Sequence, residues 1–172
     1  DRRFYIQGYL NYERSFGSHN VSGMLLYNQD DYNTNVNSSL IASLPKRKMG
    51  VAARLSYDYD HRYMLEVNAG YNGSESFAKG HRWGLFPSVA LAWKLNEESF
   101  LKNVNAISDL KLRLGYGVTG QQNLGNGDYP YMARYMYSKA GANYYFGDTE
   151  YSLIAPQPYD QNLKWEETTT WN

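Results

Sequence analysis

The chain has 172 residues, 17 basic side chains balanced by 17 acidic ones, and a mean hydropathy of -0.66. Balanced charge leaves no electrostatic footprint for nucleic acid or for an anionic membrane surface, and no run approaches the ~18 apolar residues of a membrane-spanning helix. Cysteine is absent, which excludes disulfides, thiolate metal sites and thiol nucleophiles.

The first patterned segment, residues 4–12, begins so soon after Asp1-Arg2-Arg3 that no signal peptide is expected. It is a weak two-residue alternation, followed by a short turn at 15–18, a second weak strand at 21–27 and a polar loop over 30–47. From Met49 to Tyr59 the alternation is clean. Met49, Val51, Ala53, Leu55, Tyr57 and Tyr59 alternate with Gly50, Ala52, Arg54, Ser56 and Asp58, the period that sends successive side chains to opposite faces of a strand. A tight turn at 60–62 leads into Tyr63, Leu65, Val67, Ala69 and Tyr71, which alternate with Met64, Glu66, Asn68, Gly70 and Asn72. After a polar loop at 73–82 come Leu85, Pro87, Val89, Leu91, Trp93 and Leu95, set against Phe86, Ser88, Ala90, Ala92 and Lys94. Residues 97–104 are expected to form a short helix inside a connection at 96–109. A fourth clean strand sets Leu110, Leu112, Leu114, Tyr116 and Val118 against Lys111, Arg113, Gly115, Gly117 and Thr119. A Gly- and Tyr-rich region then runs to about residue 162, with a hairpin expected between 133–137 and 144–151, and a truncated strand begins near Leu163.

The strands are about ten residues long, enough for a tilted strand to cross a bilayer and longer than the ~5–6 usual in soluble proteins. The face opposite the apolar one carries Arg, Glu, Lys, Asn and Gly, which suits a wet lumen. Aromatic residues stand near the ends of the apolar stripes, as Tyr57, Tyr59, Tyr63, Tyr71, Trp93 and Tyr116, where interfacial girdles fall in membrane barrels. Short connections alternate with long ones, as periplasmic turns alternate with external loops. The reading is an all-β, antiparallel, up-and-down transmembrane barrel segment. The alternative is a secreted, soluble β-sandwich for carbohydrate binding or adhesion, in which the same alternation marks a core face and a solvent face.

Several stretches sharpen the choice: 86–93 (Phe-Pro-Ser-Val-Ala-Leu-Ala-Trp) followed by 96–101 (Asn-Glu-Glu-Ser-Phe-Leu), and 110–122 (Leu-Lys-Leu-Arg-Leu-Gly-Tyr-Gly-Val-Thr-Gly-Gln-Gln) with Asp128-Tyr129-Pro130-Tyr131 behind them. Near the end stands 162–170, Asn-Leu-Lys-Trp-Glu-Glu-Thr-Thr-Thr. In this order they resemble the barrel of the SusC/RagA family of TonB-linked outer-membrane proteins of Bacteroidota. Residues 72–77, Asn-Gly-Ser-Glu-Ser-Phe, resemble that family's Asp-Gly-Ser-Ser-x-Phe loop and depart from it at two positions. The resemblance implies a barrel of about 22 strands, an N-terminal plug, a SusD-like surface lipoprotein as lid, TonB as the energy source acting through the plug, and glycan or peptide as cargo. On that footing residues 1–172 are part of the barrel, about seven or eight strands, without plug or closing strands. The remainder of the barrel, the plug and outer-membrane lipid are then partners of this segment, in a multi-pass protein of the bacterial outer membrane.

No catalytic, metal or cofactor site is expected. Gly115-x-Gly117-x-x-Gly120 matches a dinucleotide fingerprint in form, but no helical period follows it to face a pyrophosphate. His19, His61 and His81 lie in or beside separate turns without metal-ligand spacing. The adjacent carboxylates Glu97-Glu98 and Glu166-Glu167 would diverge in a strand, and nothing places a convergent pair for glycan cleavage; Glu97 and Glu98 are expected in the first turn of the short helix, favoured by its dipole. The Asn-x-Ser triplets at Asn20, Asn37 and Asn72 are chance matches in a bacterial protein. The candidate ligand surface is the external region with Tyr129, Tyr131, Tyr144, Tyr145 and Tyr151, whose rings either stack on sugars or pack loop against loop and against the lid. Arg54, Glu66, Asn68 and Arg113 are expected to face the lumen, towards plug or cargo.

Overall fold

A computed structural model describes residues 1–34, 43–101, 109–122, 129–137, 143–152 and 154–172, with the four strands between 134 and 157 described by their backbone. Seven strands form one antiparallel sheet: β1 (Arg2–Phe16), β2 (His19–Asn33), β3 (Lys46–Tyr59), β4 (Tyr63–Ser74), β5 (Trp83–Lys94), β6 (Lys111–Gln121) and, after an excursion, β11 (Glu166–Trp171). Each strand lies beside the one before it, in the order of an up-and-down meander.

The register makes the two faces explicit. Directly paired residues share a face, so the apolar stripe of β3 extends across the sheet as continuous rows. One row is Tyr12, Gly23, Leu55, Val67, Val89, Tyr116 and Trp171; the next is Arg14, Val21, Tyr57, Leu65, Leu91 and Leu114. These side chains have nothing over them. Leu10 is 73% exposed and Leu114 57% exposed, and the only buried hydrophobics among the described residues are Phe77 and Tyr129. No second sheet packs on this face among the described residues, whereas the core face of a sandwich is covered by its partner sheet.

The apolar band ends in aromatic rows. At the short-turn end Phe16, His19, Tyr59, Tyr63 and Trp93 occupy one register row, with ring centroids 4.9 Å apart for His19–Tyr59, 6.3 Å for Tyr59–Tyr63 and 6.1 Å for Tyr63–Trp93. At the long-loop end Tyr71 and Trp83 stack at 4.8 Å. Ten residues separate Trp83 from Trp93. At ~3.3 Å per residue and a tilt of ~40°, that gives a band of about 25 Å, the height of a membrane-barrel belt.

Several sequence expectations need correction. The strands at 4–12 and 21–27 extend to 15 residues each, so the loop placed at 30–47 loses both its ends to β2 and β3. The turn at 15–18 shrinks to Gly17-Ser18 with Gly17 at φ +60°. The short helix at 97–104 is a single 3₁₀ turn at Leu95–Glu97, followed by further turns to residue 101, and 102–104 lie outside the described residues. The hairpin expected between 133–137 and 144–151 is replaced by two nested ones. Strand β7 (Arg134–Tyr137) pairs with β10 (Ile154–Gln157), while β8 (Asn143–Phe146) pairs with β9 (Thr149–Ser152). Residues 144–151 therefore pair with themselves, because Gly147 at φ +63° allows a tight turn there.

Pro87 stands inside β5 without breaking the sheet. The β5–β6 ladder begins at Ser88–Gly117, so the missing N–H of Pro87 falls just where pairing with β6 has ended. Above that point the two strands part, which matters for the site below.

The connection after β5 is fastened to the lower aromatic row. Glu98 accepts hydrogen bonds from the Tyr63 hydroxyl at 2.6 Å and from Trp93 Nε1 at 3.0 Å. The Tyr63 hydroxyl first, and then the Trp93 indole, hold the Glu98 carboxyl below the usual carboxylate range. A depressed folded value means the fastening is fully present above the unfolded value of about 4.3 and is lost as pH falls through the folded one. In the complete receptor carrying this segment, Glu98→Gln is therefore expected to abolish an acid transition below about pH 4 in the Trp93 environment, read by indole NMR. A transition unchanged in the variant would refute the assignment.

Candidate functional site

The face opposite the apolar band is the candidate working surface. Its rows read Glu13, Ser22, Ser56, Glu66, Ala90 and Gly115, then Asn11, Met24, Arg54, Asn68, Ser88 and Gly117. Arg54, Glu66 and Asn68 meet in one network, as neighbouring strands dictate. Arg54 Nε donates to Asn68 Oδ1 at 2.9 Å, Asn68 Nδ2 donates to Glu66 Oε1 at 2.8 Å, and Ser56 Oγ donates to Glu66 Oε2 at 3.5 Å. Arg113 shares the face but stays outside that network, without a hydrogen bond or ion pair among the described residues. It lines a concavity of about 500 Å³ with Glu13, Asp58 and Glu66 towards the short-turn end. The arrangement can hold polar groups by hydrogen bonds and opposite charge. Among the described residues no group of three or more His, Cys, Asp or Glu could hold a metal ion.

At the long-loop end, motifs far apart in sequence converge. Phe77, fully buried, packs its ring 5.2 Å from Trp165, and Phe86 meets the same indole edge-on at 5.2 Å. The Trp165 Nε1 donates to the Arg82 carbonyl at 3.0 Å, and Arg82 Nε donates to the Phe77 carbonyl at 3.2 Å. The space for this cluster is the gap above Pro87. A Cβ on Gly120 would overlap the Phe86 ring, and one on Gly84 would collide with the same ring. Gly120, the last glycine of the nucleotide-like triplet, is thus a packing glycine. The β4–β5 loop is further tied to the sheet by Glu75 N donating to the Arg47 carbonyl at 3.1 Å, while Arg47 bonds Asp31 through Nε at 3.0 Å.

The tyrosines divide. Tyr129 is 6% exposed and its hydroxyl donates to the Pro45 carbonyl, so it packs loop against loop. Since Pro45 precedes β3, the segment after β6 reaches back across the upper ends of β5 and β4. Tyr131 is half-buried, with its ring edge-on to Tyr129 at 6.2 Å. Tyr144 pairs with Tyr151 and Tyr145 with Glu150 in the β8–β9 hairpin; their side chains lie outside what is described. The sequence reading missed the contacts of Phe77, Phe86, Gly120 and Trp165, although each lies in a motif it singled out. It placed Gly50 and Asn72 opposite the apolar stripe by parity but did not join them to Asn28, for want of a register.

Comparison with known proteins places this geometry. No family model matches the chain. It is 44% identical to the TonB-dependent receptor SusC of Bacteroides thetaiotaomicron over 146 residues, 85% of this chain and 14% of that protein. A TonB-dependent receptor of Formosa agariphila is 32% identical over 85% of this chain and 13% of its own length. The chain thus spans about a seventh of these curated relatives. Among solved structures, the RagAB peptide importer in its closed-closed state superposes with a TM-score of 0.74 at 18% identity, over 98% of this chain and 21% of that one. Its open-open state gives 0.73 at 19% identity, over 97% and 20%. Likeness at that identity shows the fold.

Proposed function

We propose that this chain, which belongs to the SusC/RagA type of TonB-dependent outer-membrane receptors, forms part of the wall of an active importer of glycans or peptides. Its seven strands cross the outer membrane repeatedly, with the apolar band against lipid and the polar face towards the lumen. The observation that carries this is the in-register apolar band bounded by aromatic rows, on a face that no second sheet covers among the described residues. In lipid such a sheet needs its edges closed, because unpaired backbone groups there cost several kcal/mol each. β1 and β11 then pair with strands of the remaining barrel.

On this reading the short turns face the periplasm and the excursion at 122–165 faces outside. Arg54, Glu66 and Asn68 contact the plug or passing cargo, with Arg113 beside them. Tyr131, Tyr144, Tyr145 and Tyr151 belong to the surface offered to a SusD-like lipoprotein lid, while Tyr129 ties the excursion to the segment before β3. The work is transport driven by TonB through the plug, with no bond chemistry in this segment.

The test is uptake by cells carrying the complete receptor. Import of a glycan or peptide should vanish both on deletion of the receptor and on deletion of TonB, and a surface lipoprotein should co-purify with the receptor. Uptake that persists without TonB would overturn the importer reading.

A further inference from the structure

We propose that the external end of the polar face carries a sugar-binding subsite, built by Tyr5, Asn28, Asp30, Lys48 and Asn72 with Trp165, that takes one ring of a neutral oligosaccharide. The proposal deepens the importer reading and rests on it for placing this face in the lumen. The residues come together by register. Tyr5, Asp30, Lys48 and Ser74 form one row across β1 to β4; Gln7, Asn28, Gly50, Asn72 and Gly84 form the next, reaching β5. Glycines at two positions of the second row shape it. Gly50 is buried, and a Cβ there would collide with the amides of both Asn28 and Asn72, which lean over it from either side. At Gly84 the missing side chain lets the Trp165 indole lie down, 3.1 Å from where a Cβ would stand. The result is a depression of about 230 Å³ with Tyr5 and Trp165 among its walls.

Its chemistry selects the ligand. The Asn28 and Asn72 amides make no side-chain hydrogen bond among the described residues, so their donors and acceptors are available. A sugar hydroxyl both donates and accepts, and adjacent amides match that double character where a lone charge would not. Tyr5 is already oriented, its hydroxyl donating to Gln7 at 2.7 Å, with half its surface open. Trp165 is braced from behind by Phe77 and Phe86. Two fixed rings with apolar faces suit the C–H faces of a sugar. Asp30 is held bidentate by Arg3 at 2.9 and 2.8 Å and stands opposite Lys48 in the same row, so the lysine has a carboxylate on the next strand. The volume falls below the ~300–1,000 Å³ of pockets that enclose a whole drug-sized molecule. One ring of a chain lying along the wall fits.

The experiment measures binding on the purified complete receptor, by calorimetry, with a panel of neutral hexose oligosaccharides of defined linkage and a panel of short mixed-sequence peptides. The variant is Asn28→Ala with Asn72→Ala, which leaves the aromatic cluster and the apolar band untouched. At least one oligosaccharide should bind the parent, and the loss of two hydrogen bonds should weaken it about tenfold, with the melting temperature of the receptor unchanged. Tyr5→Ala should weaken the same ligand independently. The proposal falls if no oligosaccharide binds the parent, if only peptides do, or if the double variant binds as the parent does. It also falls if the double variant keeps its sugar affinity but loosens the plug, seen as new permeability to large antibiotics. Because binding is read without transport, a receptor that binds sugar at this site but shows no TonB-dependent uptake would sink the importer reading and leave the subsite standing.

Discussion

Replacing Val67 by arginine in the complete receptor is expected to cut the amount of folded receptor in the outer membrane severely, whereas arginine at Ala90 should leave it near the parent level. Val67 lies midway between Tyr63 and Tyr71 on the apolar face of β4, flanked by Leu55 and Val89 in its own register row. On the proposed importer reading a cation there faces the centre of the hydrocarbon layer, where arginine on a membrane barrel costs about 2–4 kcal/mol. Ala90 sits on the neighbouring strand but on the other face, directly paired with Glu66, so arginine there gains an opposite charge in a wet environment. Two substitutions of the same chemistry on adjacent strands thus separate lipid from lumen. Heat-modifiable mobility of outer-membrane fractions, and urea unfolding in vesicles, report the difference. Equal losses for both variants would refute the assignment of faces.

How much of this was legible without coordinates differs along the chain. Strands β3 to β6 were plain because one face is a nearly continuous run of large apolar side chains and the other is mostly polar or small, with Met64 and Phe86 as exceptions, so the period of two stands out. Strands β1 and β2 were faint because Tyr5, Tyr9, Met24 and Leu26 lie on the polar face, where they blur the alternation. Their polar ends, around Arg3, Asp30 and Asp31, look like loop in composition. They remain strand because the ladder continues through them and ion pairs join them, Arg3 to Asp30 at 2.8 Å and Arg47 to Asp31 at 3.0 Å. The shortened helix after β5 shows the limit of local signals: acidic residues at 97–98 read as a helix start, but Glu98 is drawn to Tyr63 and Trp93 instead.

The candidate site was legible as residue types and invisible as a place. Arg54, Glu66 and Asn68 were assigned to one face by parity alone, and parity was enough, since direct pairing then brings them together. Arg113 shares that parity two strands away and makes no hydrogen bond or ion pair with them among the described residues. The amide row and the aromatic cluster required more, because both depend on which strand lies opposite which. A register shift of one residue would turn Asn28 and Asn72 to the apolar face. The glycines that shape these places carry no side chain to announce them, so their meaning exists only once neighbours are known.

Truncating Phe77 to alanine is expected to release the β4–β5 loop and the start of β11 together, while the barrel itself stays folded. Phe77 has no exposed surface, and removing a buried phenylalanine ring costs ~3–5 kcal/mol. That cost falls on a rim structure whose other ties include hydrogen bonds worth about 1 kcal/mol each, Ser74 N to the Arg82 carbonyl, Glu75 N to the Arg47 carbonyl, Arg82 Nε to the Phe77 carbonyl and Trp165 Nε1 to the Arg82 carbonyl, and the ion pairs of Glu75 with Arg47 and Arg82. Once the ring is gone, Trp165 loses one of its two aromatic partners, and Phe86 alone holds it in the gap above Pro87. Amide exchange at Ser74 and Glu75 should accelerate by two orders of magnitude or more, matching a loss of about 3 kcal/mol, with faster exchange also around Trp165. Strands β3 and β4 below the rim should keep their protection, since their ladders do not touch the cluster. Replacing Trp165 by phenylalanine offers a graded comparison, because an aromatic ring remains while the bond to Arg82 and part of the indole's packing are lost, for an effect above about 1 kcal/mol and below that of Phe77→Ala. If Phe77→Ala leaves the exchange of Ser74 and Glu75 unchanged, the cluster does not fasten the loop. If β4 opens along its whole length instead, the rim and the wall are one cooperative unit, and the aromatic cluster is part of what holds the strands in register.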